Sequence, residues 1–360
     1  MSPTDIVRGV RARTQKQLLP HVSKRWVTQF SFGLQAYGLK PFQSAGSNAR
    51  SVVRNVHTAA TKTERLLANA GLADQFGVIF DALQLVKPSS YLNVDHSDMH
   101  GLTALVAAIQ TRNGRAIPAM VETTYALHIP AAGSKKSTPR WQRLRTAMTE
   151  ARRAQSFTGH TIDALQNLAD RLGFWPRLVF DRGFGNESLV THLVAEGATF
   201  YVRLKAGRFV ELDGQRTEVK QLPDKDATVE LFGTRLRVVR SPKSRRATEP
   251  WYILTNDVTS SRNKVVNIYY HRFEIEETFK DMKHIWELKR TRLNKPNSLK
   301  VILWLVSLGI ALLYLATNRG KPSKDNKHKP HPKKQTSWLR QAYELLQQAS
   351  GQLLWGGVWK

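Results

Sequence analysis

The chain has no cysteine among its 360 residues. That removes disulfides, zinc ribbons and thiol nucleophiles from consideration, and it suits a reducing cytoplasm. Acidic residues are scarce as well: 28 Asp plus Glu stand against 55 Lys plus Arg, for a net charge of +27. An excess of this size, spread along the whole chain, points to a polyanionic partner. Charge alone names nucleic acid without saying which. The opening residues, Met1-Ser-Pro-Thr-Asp-Ile-Val-Arg8, hold no apolar core of signal-peptide length. The apolar run Val301 to Ala316 has 16 residues, short of the roughly 20 that a membrane span needs. It is expected as a buried core helix, and no membrane partner is expected. Internal repeats are lacking.

At 41% hydrophobic the chain can bury a substantial core, and its length admits two domains or one large domain with insertions. Residues 1–85 read as helical, with Ser47-Asn48 as a cap for a helix through Arg50, Val52, Val53 and Arg54. A DNA-binding helix-turn-helix and a structural lead-in fit this region equally well. From Tyr91 the pattern turns to strands. Tyr91-Leu-Asn-Val-Asp95 is a short strand ending in Asp, and Asn113-Gly114 marks a hairpin between 103–110 and 116–122. A helical period covers 158–172, Arg177-Leu-Val-Phe-Asp181 is a second apolar run ending in Asp, Asn186 caps a helix over 187–196, and 199–204 is again a strand. This order predicts an α/β fold, a ribonuclease-H-like mixed sheet with helices on both faces. The expected divisions are a helical DNA-binding region at 1–85, a catalytic domain at 90–204 and 251–316, a β-rich insertion at 205–250, and a basic linker and helix at 317–360. The insertion looks separate, with strand alternation at 228–240 and a basic loop Ser241 to Arg246, and the basic run 235–246 is expected to meet DNA.

The most informative segment is Tyr269-Tyr-His-Arg-Phe-Glu-Ile-Glu-Glu-Thr-Phe-Lys-Asp-Met-Lys283. On one continuous helix, Tyr269, Arg272, Glu276 and Lys283 fall within about 60° of one another at 100° per residue. Ile268, Ile275, Phe279, Met282 and Trp286 form the apolar stripe beside them. A carboxylate between two cations and a phenol suits phosphodiester cleavage, although a solvated helix face mixes the same residue types. Hydrolysis by divalent metals needs two hard cations on oxygen ligands. Asp95, Asp181 and Glu276, on separate elements, are the expected ligands. His96, Asp98 and Asp257 are expected to be structural, and Arg182 to meet either DNA or nearby acids.

These motifs resemble a DDE transposase of the bacterial insertion-sequence type. Within it they resemble insertion sequence family four, marked by Tyr-(2)-Arg-(3)-Glu-(6)-Lys, which Tyr269, Arg272, Glu276 and Lys283 match in full. Asp95-His96-Ser97 and Asp181-Arg182-Gly183-Phe184 resemble the blocks around the family's two Asp residues, and the resemblance covers residues 90–316. It implies that Asp95, Asp181 and Glu276 bind two Mg²⁺ (or Mn²⁺), and that Arg272 and Lys283 grip phosphates of the transposon end. It also implies that Tyr269 meets that backbone and that Trp251 stacks a flipped base, a role set against a core Trp opening a strand. The activity implied is cleavage of transposon ends and strand transfer into target DNA, with a hairpin step left open. Terminal inverted repeats and target DNA would be the partners of a homodimer in a synaptic complex, in a prokaryotic cytoplasm. A non-catalytic repressor and a nuclease without strand transfer are the alternatives.

Overall fold

The computed structural model describes residues 2–39, 45–53, 55–99, 101–126, 139–242, 249–288, 293–317 and 338–349. Its lead-in consists of Pro3–Arg13 (α1), Val27–Gly33 (α2), Ala45–Arg50 (α3), Val56–Ala68 (α4) and Ala70–Asp81 (α5). Strands Tyr91–Met99 (β1), Leu102–Gln110 (β2) and Ala116–Tyr125 (β3) follow. Next come Pro139–Ala154 (α6), Phe157–Leu172 (α7), Arg177–Phe180 (β4), Glu187–Ala195 (α8) and Phe200–Leu204 (β5). Phe209–Leu212 (β6), Gln215–Glu218 (β7), Asp226–Leu231 (β8), Thr234–Arg240 (β9) and Tyr252–Thr255 (β10) lead into the C-terminal helices. Those are Arg262–Tyr270 (α9), Phe273–His284 (α10), Pro296–Ala316 (α11) and Trp338–Ala349 (α12).

One sheet takes the strands in the order β3-β2-β1-β4-β5-β10-β9-β8-β6-β7. β1, β2 and β3 are antiparallel neighbours, while β4 pairs parallel with β1 and β5 parallel with β4. That pairing of the first five strands is ribonuclease-H-like. Segment 205–250, which its composition sets apart, continues the same sheet: β10 pairs antiparallel with β5 on one side and β9 on the other. Its hairpins close at turn signals visible in the chain. Asp213 and Gly214 both take left-handed φ, 51° and 78°, as a two-residue turn matched to strand twist requires.

Alternation along the strands divides the sheet's two faces. Tyr91, Val179, Tyr201, Val239 and Ile253 cluster with Val265, Ile268 and Tyr269 of α9. Their sequence neighbours Leu92, Leu178, Phe180, Phe200, Val202 and Leu254 belong to the large core, together with Leu165 and Leu168 of α7 and Leu189, Val190 and Leu193 of α8. Helices therefore cover both faces. The large core runs on into the lead-in, because α11 packs on β3 and also on α1, α4 and α5. At 21 residues α11 is longer than its apolar run, and long and apolar enough to cross a membrane, but 89% of its apolar window is buried inside the protein. It is the central core helix.

Three local expectations change. β1 runs four residues past Asp95, carried by its hairpin with β2. Asn48 lies within α3, buried, and donates to the Ala36 carbonyl at 2.7 Å. The cap of the next helix is Asn55, which accepts from Thr58 N–H. α6 is absent from the sequence reading altogether. The basic loop at 243–246 and the linker at 318–337 lie outside the described residues.

The tightest backbone contact in the core joins α11 to the segment after α2. A Cβ at Gly309 would stand 1.9 Å from the Gly38 carbonyl oxygen, and that oxygen also accepts from Trp286 Nε1 at 3.1 Å. Gly309→Ala should therefore destabilise the protein by about 3 kcal/mol or more, since backbone on both sides must move. Urea unfolding followed by tryptophan fluorescence will read the loss.

Candidate active site

Strand register brings the two Asp residues together. Val94 of β1 pairs with Phe180 of β4, so Asp95 and Asp181 stand next in line on adjacent strands, about 4.8 Å apart at the backbone. Phe180 likewise pairs with Val202, which sets Arg203 of β5 on the other side of Asp181. All three positions share the face of Val179 and Tyr201, the face that α9 and α10 cover.

The third carboxyl arrives on α10, and a set of buried polar contacts holds that helix in place. Asn93 Nδ2 donates to the His271 carbonyl at 2.9 Å, and Gln110 Nε2 donates to the Ile268 carbonyl at 3.0 Å and to Asn93 Oδ1 at 2.7 Å. These side chains occupy carbonyls of the helical ladder, which is a known cause of helix breaks. The expected continuous helix is accordingly two, α9 and α10, joined through His271 and Arg272. Across the junction the bonds tighten to i→i+3, from Arg272 N–H to Tyr269 and from Ile275 N–H to Arg272. Glu274, in the first turn of α10 and buried, accepts from the backbone N–H groups of Thr111, Arg112 and Gly114 at 2.9, 3.2 and 3.1 Å. Thr278 accepts from Ala116 N–H at 2.9 Å, and Arg115 Nε donates to Asp281 at 2.6 Å. The β2–β3 hairpin is thus fastened along the side of α10.

Arg272 lies at the centre of this arrangement. Its guanidinium, 5% exposed, donates from Nη2 to Glu276 and from Nη1 to Asp95 Oδ2 at 3.4 Å. It also lies over the rings of Phe273 and Tyr269, at 4.7 and 5.9 Å. Burial pushes the Asp95 carboxyl up to about 6; the His96 N–H and Arg272 pull against that shift, and the charges of Asp181 and Glu276 add to it. Asp181 also acts electrostatically on Tyr269 and Arg272, so all three acids share one field. The ready-made three-carboxylate cage is not present in this conformation. Among the described residues no three such groups stand close enough to hold a metal ion, because Arg272 stands between Asp95 and Glu276. The donor set still fits a hard divalent cation: it is all carboxylate, and burial, with a smaller contribution from its like-charged neighbours, holds the Asp95 member above the usual carboxylate range.

Tyr269, expected against the DNA backbone, is fully buried with an unpartnered hydroxyl, and burial pushes its pKa up to about 12. In this conformation it supports Arg272 and touches no solvent. Trp251 packs edge-on to Tyr269 at 5.3 Å and against Phe273 at 5.7 Å, half-buried, with its N–H bonded to Ser241 Oγ. That is the packing of a Trp opening a strand. Lys283 is half-buried in the last turn of α10, about 10 Å along the helix axis from Glu276. Arg182 is exposed beside Asp181, which accepts from its N–H at 2.6 Å. His96 points to the opposite face, stacked on Phe184 at 4.7 Å and Phe157 at 4.0 Å, and burial lowers its pKa to about 3. Asp98 accepts from Thr103, and Asp257 accepts from Tyr201, Thr259 and Ser260, all structural contacts. Arg203, Glu274, Asn93 and Gln110 are the polar residues that sequence reasoning missed.

Residues 147–313 match the family model described as transposase DDE domain. That match supports a DDE transposase. The matched segment contains Asp181, Arg272 and Glu276 and begins after Asp95, which the β1–β4 register sets beside Asp181. No curated protein matches the chain.

The electrostatics of this site and its fastening give two predictions. A carboxyl raised in the folded state stabilises below its unfolded pKa near 4, and that contribution is lost as pH rises through about 6. Without divalent metal, Asp95→Asn should therefore raise stability at pH 7.5 by about 1–2 kcal/mol, a gain that vanishes by about pH 4. Melting curves across pH will test this. Glu274→Ala leaves buried N–H groups unsatisfied and should cost about 2–4 kcal/mol, read by urea titration.

Proposed function

We propose that this transposase cuts DNA at the ends of its own element and joins the freed ends to a target, using Asp95, Asp181 and Glu276 as its catalytic acids. The observation that carries this proposal is the placement of Asp95 beside Asp181 by strand register, with Arg272 linking Asp95 to Glu276. The spacing of Tyr269, Arg272, Glu276 and Lys283 supports membership of insertion sequence family four.

Asp95, Asp181 and Glu276 would hold two Mg²⁺ (or Mn²⁺). Bound there, the cations would polarise the scissile phosphate and ease deprotonation of the attacking hydroxyl. Arg272 has its guanidinium positioned to trade carboxylate partners for a phosphate, and its bidentate fork suits phosphate oxygens. Arg203 and Lys283 add cations on either side, and Arg182 adds one in solvent. Tyr269 and Phe273 support the Arg272 guanidinium from beneath. In the first step water displaces the 3′-oxygen of a phosphodiester and leaves a 3′-hydroxyl. In the second that hydroxyl attacks another phosphodiester, so one bond forms as one breaks and no outside energy source is needed. A hairpin arises when the attacked bond lies on the opposite strand. Pairing of two ends calls for two copies of the chain on DNA, and the net charge of +27 suits DNA as partner. The site of action would be the prokaryotic cytoplasm.

Purified protein incubated with Mg²⁺ and the element's end sequence should nick at the end and then yield joined product. Glu276→Gln should lower cleavage by about 10³-fold or more at unchanged DNA binding. Nicking without joining would make the protein a nuclease. Binding without cleavage would make it a repressor.

A further inference from the structure

α6 is a basic helix that the catalytic chemistry leaves unused. Its sequence, Pro139-Arg-Trp-Gln-Arg-Leu-Arg-Thr-Ala-Met-Thr-Glu-Ala-Arg-Arg-Ala154, carries five Arg and one acid, Glu150. Only a narrow side is used for packing: Met148 is buried, and Leu144 sits against the backbone of Gly101, where a Cβ would come within 2.5 Å of Leu144 Cδ2. The other side is open. A shallow cleft runs along it, lined by Gln142, Arg145, Thr146, Thr149, Glu150 and Arg153. These positions recur at intervals of three and four, a single helical face. Among the described residues the Arg145 and Arg153 side chains make no ion pair.

We infer that this face of α6 is a second DNA-contacting surface, which grips the backbone of the duplex being cut at a distance from the scissile phosphate. The inference rests on the proposed cleavage site. Three features carry it. Arg145 and Arg153 are eight residues apart, about 12 Å along the axis at 1.5 Å per residue, which matches the roughly 12 Å width of the major groove. One Arg can therefore meet each flanking strand. Gln142, Thr146 and Thr149, between and beside them, are the uncharged hydrogen-bonding types that serve phosphate oxygens.

The position of the helix supplies the third feature. Gly101, on which Leu144 rests, follows Asp95 by six residues on the hairpin of β1 and β2. At about 3.3 Å per residue that is roughly 20 Å from the acids, or about six base-pair steps of 3.4 Å. Cleavage precedes joining, so the duplex at this distance when the acids first engage a phosphate is the element's own end with its flank.

The test is the salt dependence of binding to a 40-base-pair duplex carrying the element's end. Each lost phosphate contact lowers the slope of log K against log salt by about 0.9. The double variant Arg145→Ala with Arg153→Ala should flatten the slope by about 1.8. Lysine at both positions should restore it. Glu150→Gln should tighten binding, a gain that misfolding cannot produce. Trimming the duplex to within four base pairs of the cleavage point should erase the difference between the double Ala variant and wild type. An unchanged slope for the double Ala variant, with wild type binding and cleaving normally, would overturn the α6 surface alone. Failure of wild type to bind any duplex would overturn it together with the cleavage reading.

Discussion

Three carboxyl groups gathered over the interior strands of one sheet repel one another, and in this chain the offset is the buried guanidinium of Arg272. Its two arms reach Asp95 and Glu276, and its underside rests on Phe273 and Tyr269. Without it, acids desolvated to this degree would neutralise rather than remain a ligand set. The rise of Asp95 to about 6 shows that the offset is partial. A site balanced in this way has an unspent preference for positive charge. In the proposed function, divalent cations would satisfy that preference at the carboxyls while Arg272 turns to a phosphate.

The position of Arg272 is itself a consequence of the neighbouring polar network. Asn93 and Gln110 take carbonyls from the helical ladder and break it at His271. Glu274 and Thr278 then fix the new helix against the β2–β3 hairpin. Buried side chains that are fully hydrogen-bonded in this way specify one arrangement of the elements they join. The helix carrying Glu276 is therefore set relative to β1 by contacts made about one turn away from that carboxyl.

Much of this was legible in the chain. Turn chemistry at Asn113-Gly114 and Asp213-Gly214, caps at Asn186 and Gly173, and apolar runs ending at Asp181 gave the order of strands and helices, because each is a local signal. Asp95, Asp181 and Glu276 were named from their elements, and register brings the two Asp residues side by side. What the sequence could not show is non-local. The extension of β1 past Asp95 depends on β2. The break between α9 and α10 depends on Asn93, some 180 residues earlier. The wheel drawn through one continuous helix placed Tyr269 among solvent-facing groups, and the break turns it into the core. Arg203 gains its meaning only from the neighbour that β4 supplies. α6, with Arg at five of its sixteen positions, lacks a wide apolar stripe and was invisible to periodicity for that reason.

The cations of this protein divide by burial into two kinds, and the division has a physical basis. Arg272, desolvated against aromatic rings, interacts strongly over a short range and can hold its place only while acids or phosphates neutralise it. Arg145 and Arg153 remain in water, where each is worth little to folding and keeps its full charge for a partner. Exposed cations release counterions when they meet DNA, which makes their contribution strongly dependent on salt, whereas a buried cation is screened far less. A surface of the first kind can discriminate geometry at the reacting phosphate. A surface of the second kind can hold a long polyanion without demanding a sequence. The proposed function calls for both, because the protein would keep hold of a duplex while the bond at its active site is broken and remade.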